Sequence, residues 1–342
     1  MLSEGKLVKE FEDKLASDLG WINPVALNSG TSALHLALVV AGVGKGDEVI
    51  IPSQTFIATG LAVLYVGATP VFVDIEYATG NIDVADIAKK ITTKTKAIIP
   101  VHWNGYPCDM KAINLLAKKN GLIVIEDAAR ALGATYENKP IGSLSDFTCF
   151  SFQAIKHLTT GDGGALCCKS AKAYEEAQIL RWFGIDRAKA KPSILGERVF
   201  SIDRIGYKYH LNNFSAALGL ANLNGIKKRL TRRQKIAKKY KIEFSKLPGI
   251  TLFQEDYRRT SAYFLFGFHV ERREDFIQAL KERGVPTTVD TLGVARHPVF
   301  AKYKIQLPVN DHFNETQINI PCHDALTDEE VKYIIASIKK GW

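Results

Sequence analysis

From Asp47 to Asp127 the chain repeats one unit, an apolar run followed by a helical stretch and another apolar run. DEVIIPS, starting at Asp47, precedes a predicted helix around Ala58–Tyr65; ATPVFVDI and KAIIPVHWNG read as further strands. A helix over Asp109–Asn120 then leads to GLIVIED, which ends on Asp127. Strands that are apolar throughout and alternate with helices are buried on both faces, which selects an α/β fold with a mainly parallel sheet. In such sheets ligands sit beyond the carboxyl ends of the strands. Ser53, His102, Asp127 and Lys156 all fall at or just after those ends.

Lys156 lies in SDFTCFSFQAIKHLTTGDGG, Ser145–Gly164. Phe147, Cys149, Ser151 and Gln153 alternate with Thr148, Phe150 and Phe152, the pattern of a short, mostly buried strand. The lysine follows at once, before Gly161, Gly163 and Gly164. Either it is an exposed loop lysine, or its amine rests on an apolar wall where desolvation favours the free, nucleophilic form. On the second reading the glycines let backbone approach a bulky group carried by the lysine. Asp127 closes an apolar run, so it is either an N-cap for the AARALG stretch or a buried acid that needs a cation or hydrogen-bond donors; Arg130, one turn on, is a candidate structural partner. Asn28-Ser29-Gly30-Thr31-Ser32 precedes the predicted helix Ala33–Val40, and such a mouth serves as an ordinary N-cap or a phosphate site.

An amphipathic helix with Leu7, Phe11, Leu15 and Leu19 on one side opens the chain, and a short strand, Val25–Leu27, follows. Past Gly164 the expected order is strand Ala165–Lys169, helix Ala171–Phe183, an irregular charged loop FGIDRAKAKPSILGERV, and a long helix, Asn212–Leu223, running on toward a basic stretch. A separate α+β unit begins near Ile250, so residues 1–234 form a large domain and 235–342 a small one. The net charge of +9 and the stretch Lys227–Lys241 raise nucleic-acid binding. Ile226, Leu230, Ala237 and Tyr240 keep helical spacing there, however, which describes a packed helix with solvated cations, and general attraction of an anionic substrate accounts for the rest. Cys108, Cys149, Cys167, Cys168 and Cys322 show no metal or cluster spacing and read as buried thiols in a reducing compartment. The opening MLSEGKLVKEFEDKL is too charged for a signal peptide, and Val49–Val73 is interrupted by prolines and glycines. The expected location is the cytoplasm, without a membrane or nucleic-acid partner.

NSGTSALHLAL, DEVIIPSQTFIAT, GATPVFVDI, PVHWNGYPCDM, IEDAARALGATY, SFQAIKHLTTGDGGAL, GYKYHLNNFSAALG and IPCHDALTDEEV, in this order, resemble the sugar-nucleotide aminotransferases of the DegT–StrS type, which are fold-type-I pyridoxal-phosphate enzymes. The resemblance implies a three-layer large domain and a homodimer with shared sites. It implies that Lys156 bonds the cofactor's aldehyde carbon, that Asp127 keeps the pyridine nitrogen protonated, and that Phe56 lies on the ring face. Gly30, Thr31, Ser32 and Ser151 match the phosphate-binding positions. The implied substrates are a nucleotide-linked keto-deoxysugar and an amino donor, L-glutamate. His102, Arg187 and His297 are candidates for sugar or diphosphate contact, against structural or surface roles.

The sequence departs from the family pattern in places. Arg130 stands where Gln or His usually lies near the cofactor's phenolic oxygen, and Lys208 stands where many members carry an asparagine reaching the neighbouring subunit's phosphate. The N-terminus starts in what resembles the middle of the family's first conserved segment, an omission expected to weaken the dimer or substrate pocket. Related dehydratases carry histidine at the lysine position, which Lys156 argues against. A non-catalytic binding protein of the same fold is the other alternative, and only the basic helix favours it.

Overall fold

The computed structural model describes residues 5–187 and 189–342. Seven strands form the central sheet: β1 (Pro24–Leu27), β2 (Glu48–Pro52), β3 (Thr69–Val73), β4 (Thr95–Ile98), β5 (Ile123–Asp127), β6 (Phe147–Ser151) and β7 (Gly164–Cys168). Their spatial order is β1-β7-β6-β5-β4-β2-β3. The pairs from β6 to β3 are parallel, and β7 runs against both of its neighbours, β6 and β1. The mainly parallel sheet read from the sequence is therefore present.

Alternation along each strand sorts the apolar side chains into two cores. Val25, Leu27, Val49, Ile51, Ile125, Cys149 and Leu166 face one side, where they meet the helices α2 (Gly30–Val40) and α3 (Ile57–Tyr65). Ala26, Ile50, Ile98, Val124, Phe150 and Cys167 face the other. There they meet α1 (Lys6–Leu19), whose Val8, Phe11 and Leu15 are buried, together with residues of α5 (Met110–Asn120) and α7 (Asn213–Leu223). All five cysteines are free and buried.

The helix expected over Ala171–Phe183 ends earlier, as α6 (Ala171–Leu180), because Phe183 and Gly184 both take positive φ. The charged loop is not wholly irregular, since Lys191–Pro192 and Arg198–Val199 pair as a short hairpin. The helix expected over Asn212–Leu223 is α7, and Gly225, with a φ of 78°, turns the chain into α8 (Ile226–Phe244). The expected domain division falls inside α8. Its Ile226 and Leu230 join the large core, while Ile236, Ala237, Tyr240 and Phe244 join a second core. That core also takes in α9 (Arg273–Glu282), α11 (Asp328–Lys339) and a three-stranded sheet of Ile250–Leu252, Phe266–Val270 and Gln317–Ile320. One cation of the basic stretch is not solvated: Arg233 is buried, donates to the carbonyls of Tyr263, Phe264 and Cys322, and pairs with Asp324. The segment after Val285 then returns to the large sheet, where Val294, Ala295, Phe300 and Leu307 enter its core. No helix of the described residues is long and apolar enough to cross a membrane.

Candidate active site

Because β1, β2, β4, β5 and β6 run the same way, their carboxyl ends share one edge, and a cavity of about 420 Å³ opens there. Gly30, Thr31, Phe56, His102, Asp127, Arg130, Ser151 and Lys156 all line it.

The mouth of α2 is held against the end of β6 by missing side chains. A Cβ on Gly30 would lie 2.9 Å from the Ser151 Cβ, and one on Gly164 would lie 2.5 Å from the Ser29 backbone. The glycine run therefore serves partly to bring chain against chain, a use beyond the expected room beside Lys156. Ser29 caps the helix by accepting from the Ser32 N–H at 3.0 Å, and the Ser32 hydroxyl bonds Asn28. Ser32 is thus committed to the cap and does not line the cavity, whereas the N-terminal turn at Gly30 and Thr31 does.

Asp127 is buried at the end of β5. Thr59, from α3, donates to its Oδ2 at 2.7 Å, and the Ala129 N–H donates to Oδ1 at 3.2 Å. The Thr59 hydroxyl is itself 2.6 Å from that of Thr55. Arg130 is not the partner of Asp127. It pairs with Asp290, on the segment that leaves the small core, and its guanidinium stacks 5.0 Å from the Trp103 ring centroid and 5.3 Å from that of Phe264.

Lys156 sits in the turn after β6, its Nζ 4.5 Å from the Phe264 ring centroid. The neighbouring His157 anchors this turn, its Nε2–H donating to the Ala262 carbonyl at 3.0 Å; burial first, and the charge of Arg233, push its pKa down to about 3, so it stays neutral. Burial of the amine, with the Arg130 charge second, lowers the Lys156 pKa from 10.5 to about 8 against the opposing pull of Asp127 and Asp290. At neutral pH roughly one amine in ten is then free, against about one in several thousand for an ordinary lysine. The rate at which apoprotein takes up pyridoxal phosphate is expected to rise with pH and level off above about 8. Arg130→Gln removes a charge that disfavours the ammonium, so it should move that midpoint upward. Stopped-flow absorbance checks both, and a wild-type midpoint at the ordinary lysine value would contradict them.

His102 lines the cavity, but its ring has nothing left to offer a ligand. Nδ1 accepts from the Cys108 N–H at 3.1 Å, and Nε2–H donates to Glu126 at 2.9 Å; Thr148 donates to the other Glu126 oxygen at 3.1 Å. This fully buried network braces the strand end that carries Asp127, so the structural role applies. Ser53 also points elsewhere: its carbonyl and hydroxyl take the N–H groups of Val294 and Ala295. His297 is exposed at the start of a short helical turn, away from the cavity lining. Arg187 and Lys208 are exposed and lie over the Trp182 ring, at 5.3 and 4.9 Å from its centroid, also outside that lining.

Several lining or supporting residues were not singled out from sequence. Thr59 follows Phe56 by one helical turn within PSQTFIAT, so its spacing was a usable signal. Trp103, Phe264, Asp290 and Thr291 carried none, because long-range folding alone brings them here.

The donor set suits a flat, charged aldehyde cofactor. A depressed amine, a fixed carboxylate and an open helix mouth ring the space, and Phe56 is a large apolar ring left 59% exposed at its edge. A family model for DegT/DnrJ/EryC1/StrS aminotransferases matches residues 1–339. GDP-perosamine synthase of Caulobacter vibrioides is 35% identical over 346 residues, covering 98% of this chain and 90% of its own length. The crystal structure of the sugar aminotransferase CalS13 from Micromonospora echinospora superposes with a TM-score of 0.95 at 32% identity, covering 100% of this chain and 93% of that one. The Streptococcus pneumoniae protein Spr1654 in its PLP form gives a TM-score of 0.91 at 32% identity, covering 99% and 92%. The sheet order, the lysine turn and these similarities along nearly the whole length agree: the chain belongs to the DegT/DnrJ/EryC1/StrS aminotransferase family.

Proposed function

We propose that this aminotransferase moves the amino group of an amino acid, L-glutamate by family resemblance, onto the keto carbon of a nucleotide-linked deoxysugar in two alternating half-reactions. The observation that carries the chemistry is the meeting of the Lys156 amine and the Asp127 carboxylate on one cavity. The sugar-nucleotide class is supported by similarity to a GDP-perosamine synthase.

Pyridoxal phosphate, the family's cofactor, supplies when bound an electron sink next to the substrate's amine-bearing carbon. The residues that would hold it are the α2 mouth and Ser151 for the phosphate, Phe56 for a ring face, Asp127 for the ring nitrogen and Lys156 for the aldehyde carbon. Asp127, fixed in place by its two donors, would hold a proton on that nitrogen, an electrostatic contribution aimed where charge develops. Lys156, once released by substrate, takes and returns the proton at the reacting carbon, and its lowered pKa suits a base working near neutrality. We read the protein as a cytoplasmic homodimer with shared sites. The exposed Lys208, stationed on the Trp182 ring outside its own cavity, is consistent with service to the neighbouring subunit.

The test is incubation with L-glutamate and a panel of nucleotide 3- and 4-ketosugars, with products identified by mass spectrometry. An aminated nucleotide sugar with equimolar 2-oxoglutarate is expected. A cofactor absorbance band that glutamate leaves unchanged would favour the non-catalytic alternative and sink this reading.

A further inference from the structure

We propose that Arg130 receives a carboxylate of the amino donor and that Asp290 aims it. This rests on the aminotransferase reading above and assigns its donor site. The two substrates differ in one chemical respect at the reacting centre: an amino acid carries a carboxylate beside its amine, and a ketosugar carries none beside its carbonyl. A carboxylate that leaves water for this cavity requires a charged or hydrogen-bonding partner there.

The lining offers few choices. Among the described residues its side-chain cations are Lys156 and Arg130, set against Asp127, Asp162 and Asp290, and both ring nitrogens of His102 are already engaged. Lys156 is the reacting amine, so Arg130 is the other cation that this chain brings to its own cavity. Its geometry suits the task. Trp103 and Phe264 both lie close to the guanidinium, and Asp290 takes Nη1. Among the described residues no acceptor meets Nε or Nη2, so part of a fork matched to a carboxylate stays available.

Asp290 is built as a fixed guide. The next residue, Thr291, has its carbonyl held by the side-chain amides of Gln54 at 3.0 Å and Gln317 at 3.1 Å. Thr291 itself lines the cavity, and its buried hydroxyl has no partner among the described residues. Arg130 and Asp290 side chains are only 11% and 19% exposed, so the pair is poorly screened and its orientation is held.

The experiment measures binding of glutarate, which has the donor's carboxylates but no amine, to the cofactor-loaded protein by titration calorimetry. Arg130→Gln is expected to weaken glutarate about 10- to 100-fold, the size of a lost charge-assisted hydrogen bond, and Arg130→Lys to recover only part of that. Asp290→Asn should weaken it by a smaller factor. In single-turnover absorbance the same variants should slow the glutamate half-reaction at least tenfold more than the sugar half-reaction. Glutarate binding within twofold of wild type in Arg130→Gln, or an equal loss in both half-reactions, overturns the assignment. Tighter glutarate binding in Asp290→Asn would make that carboxylate a competitor and overturn its aiming role. Thermal melts of each variant identify an unfolded protein, in which case Arg130→Met, similar in reach and uncharged, replaces Arg130→Gln with the same expected loss. If wild type itself transfers no amine from glutamate while still binding glutarate through Arg130, the functional reading fails and this site stands.

Discussion

Replacing Lys156 with alanine is expected to abolish amino transfer while the protein folds and still takes up its cofactor. Truncation removes the proposed covalent anchor and, among the described residues, the one lysine amine lining the cavity. A positioned proton-transfer group alone is worth about 10²–10⁴-fold. The rest of the cradle does not depend on the lysine. The α2 mouth is set by Gly30 and Gly164 against their neighbours, Asp127 by Thr59 and Ala129, and the Lys156 turn by the His157 bond to Ala262. Equilibrium dialysis should therefore show retained pyridoxal phosphate, and borohydride treatment should fix it to wild type and not to the variant. Added methylamine, a small amine able to enter the vacated space, is expected to restore a fraction of the rate. Turnover in Lys156→Ala within tenfold of wild type would remove the lysine from its assigned role.

What the sequence disclosed about this site follows from how local each signal was. The edge that carries the chemistry was legible because strands buried on both faces are apolar throughout, and each such run ends where the chain must turn polar. Asp127, Ser151 and Lys156 are read off those ends. The α2 mouth was legible for the same reason, since Ser29 to Ser32 is a capping sequence whatever it binds. Roles that depend on which way a ring or a guanidinium turns were not legible. His102 follows a strand, as a catalytic histidine would. Its capture by Glu126 and the Cys108 amide depends on the chain curling back through the Trp103–Gly105 turn. Arg130 was paired with Asp127 on spacing, yet the acid already has two donors and a better-placed carboxylate arrives 160 positions further on. In the fold at large, the end of α7 at Leu223 was legible from local spacing, and the φ of 78° at Gly225 shows how the chain turns into α8.

Asp127→Asn is expected to lower turnover about 10²–10³-fold, the cost of removing one preorganised electrostatic partner. The substitution is a clean probe because the surroundings accommodate an amide. Oδ2 now accepts from Thr59, and an asparagine nitrogen at that position would instead need an acceptor. The Thr59 hydroxyl supplies one by rotating its own proton toward Thr55, 2.6 Å away, where either oxygen serves as donor. The other amide position keeps the Ala129 N–H as donor to its oxygen. Shape and hydrogen bonding are thereby preserved, and only the negative charge is lost. Without that charge nothing described in the cavity wall at the end of β5 holds a proton on the cofactor's ring nitrogen, so the electron sink weakens in both half-reactions alike. That symmetry separates Asp127 from Arg130, whose loss should fall on the donor half. Single-turnover absorbance of each half-reaction, together with an unchanged melting temperature, checks the assignment. A loss confined to one half-reaction, or a turnover within fivefold of wild type, would show that the carboxylate merely caps the turn after β5.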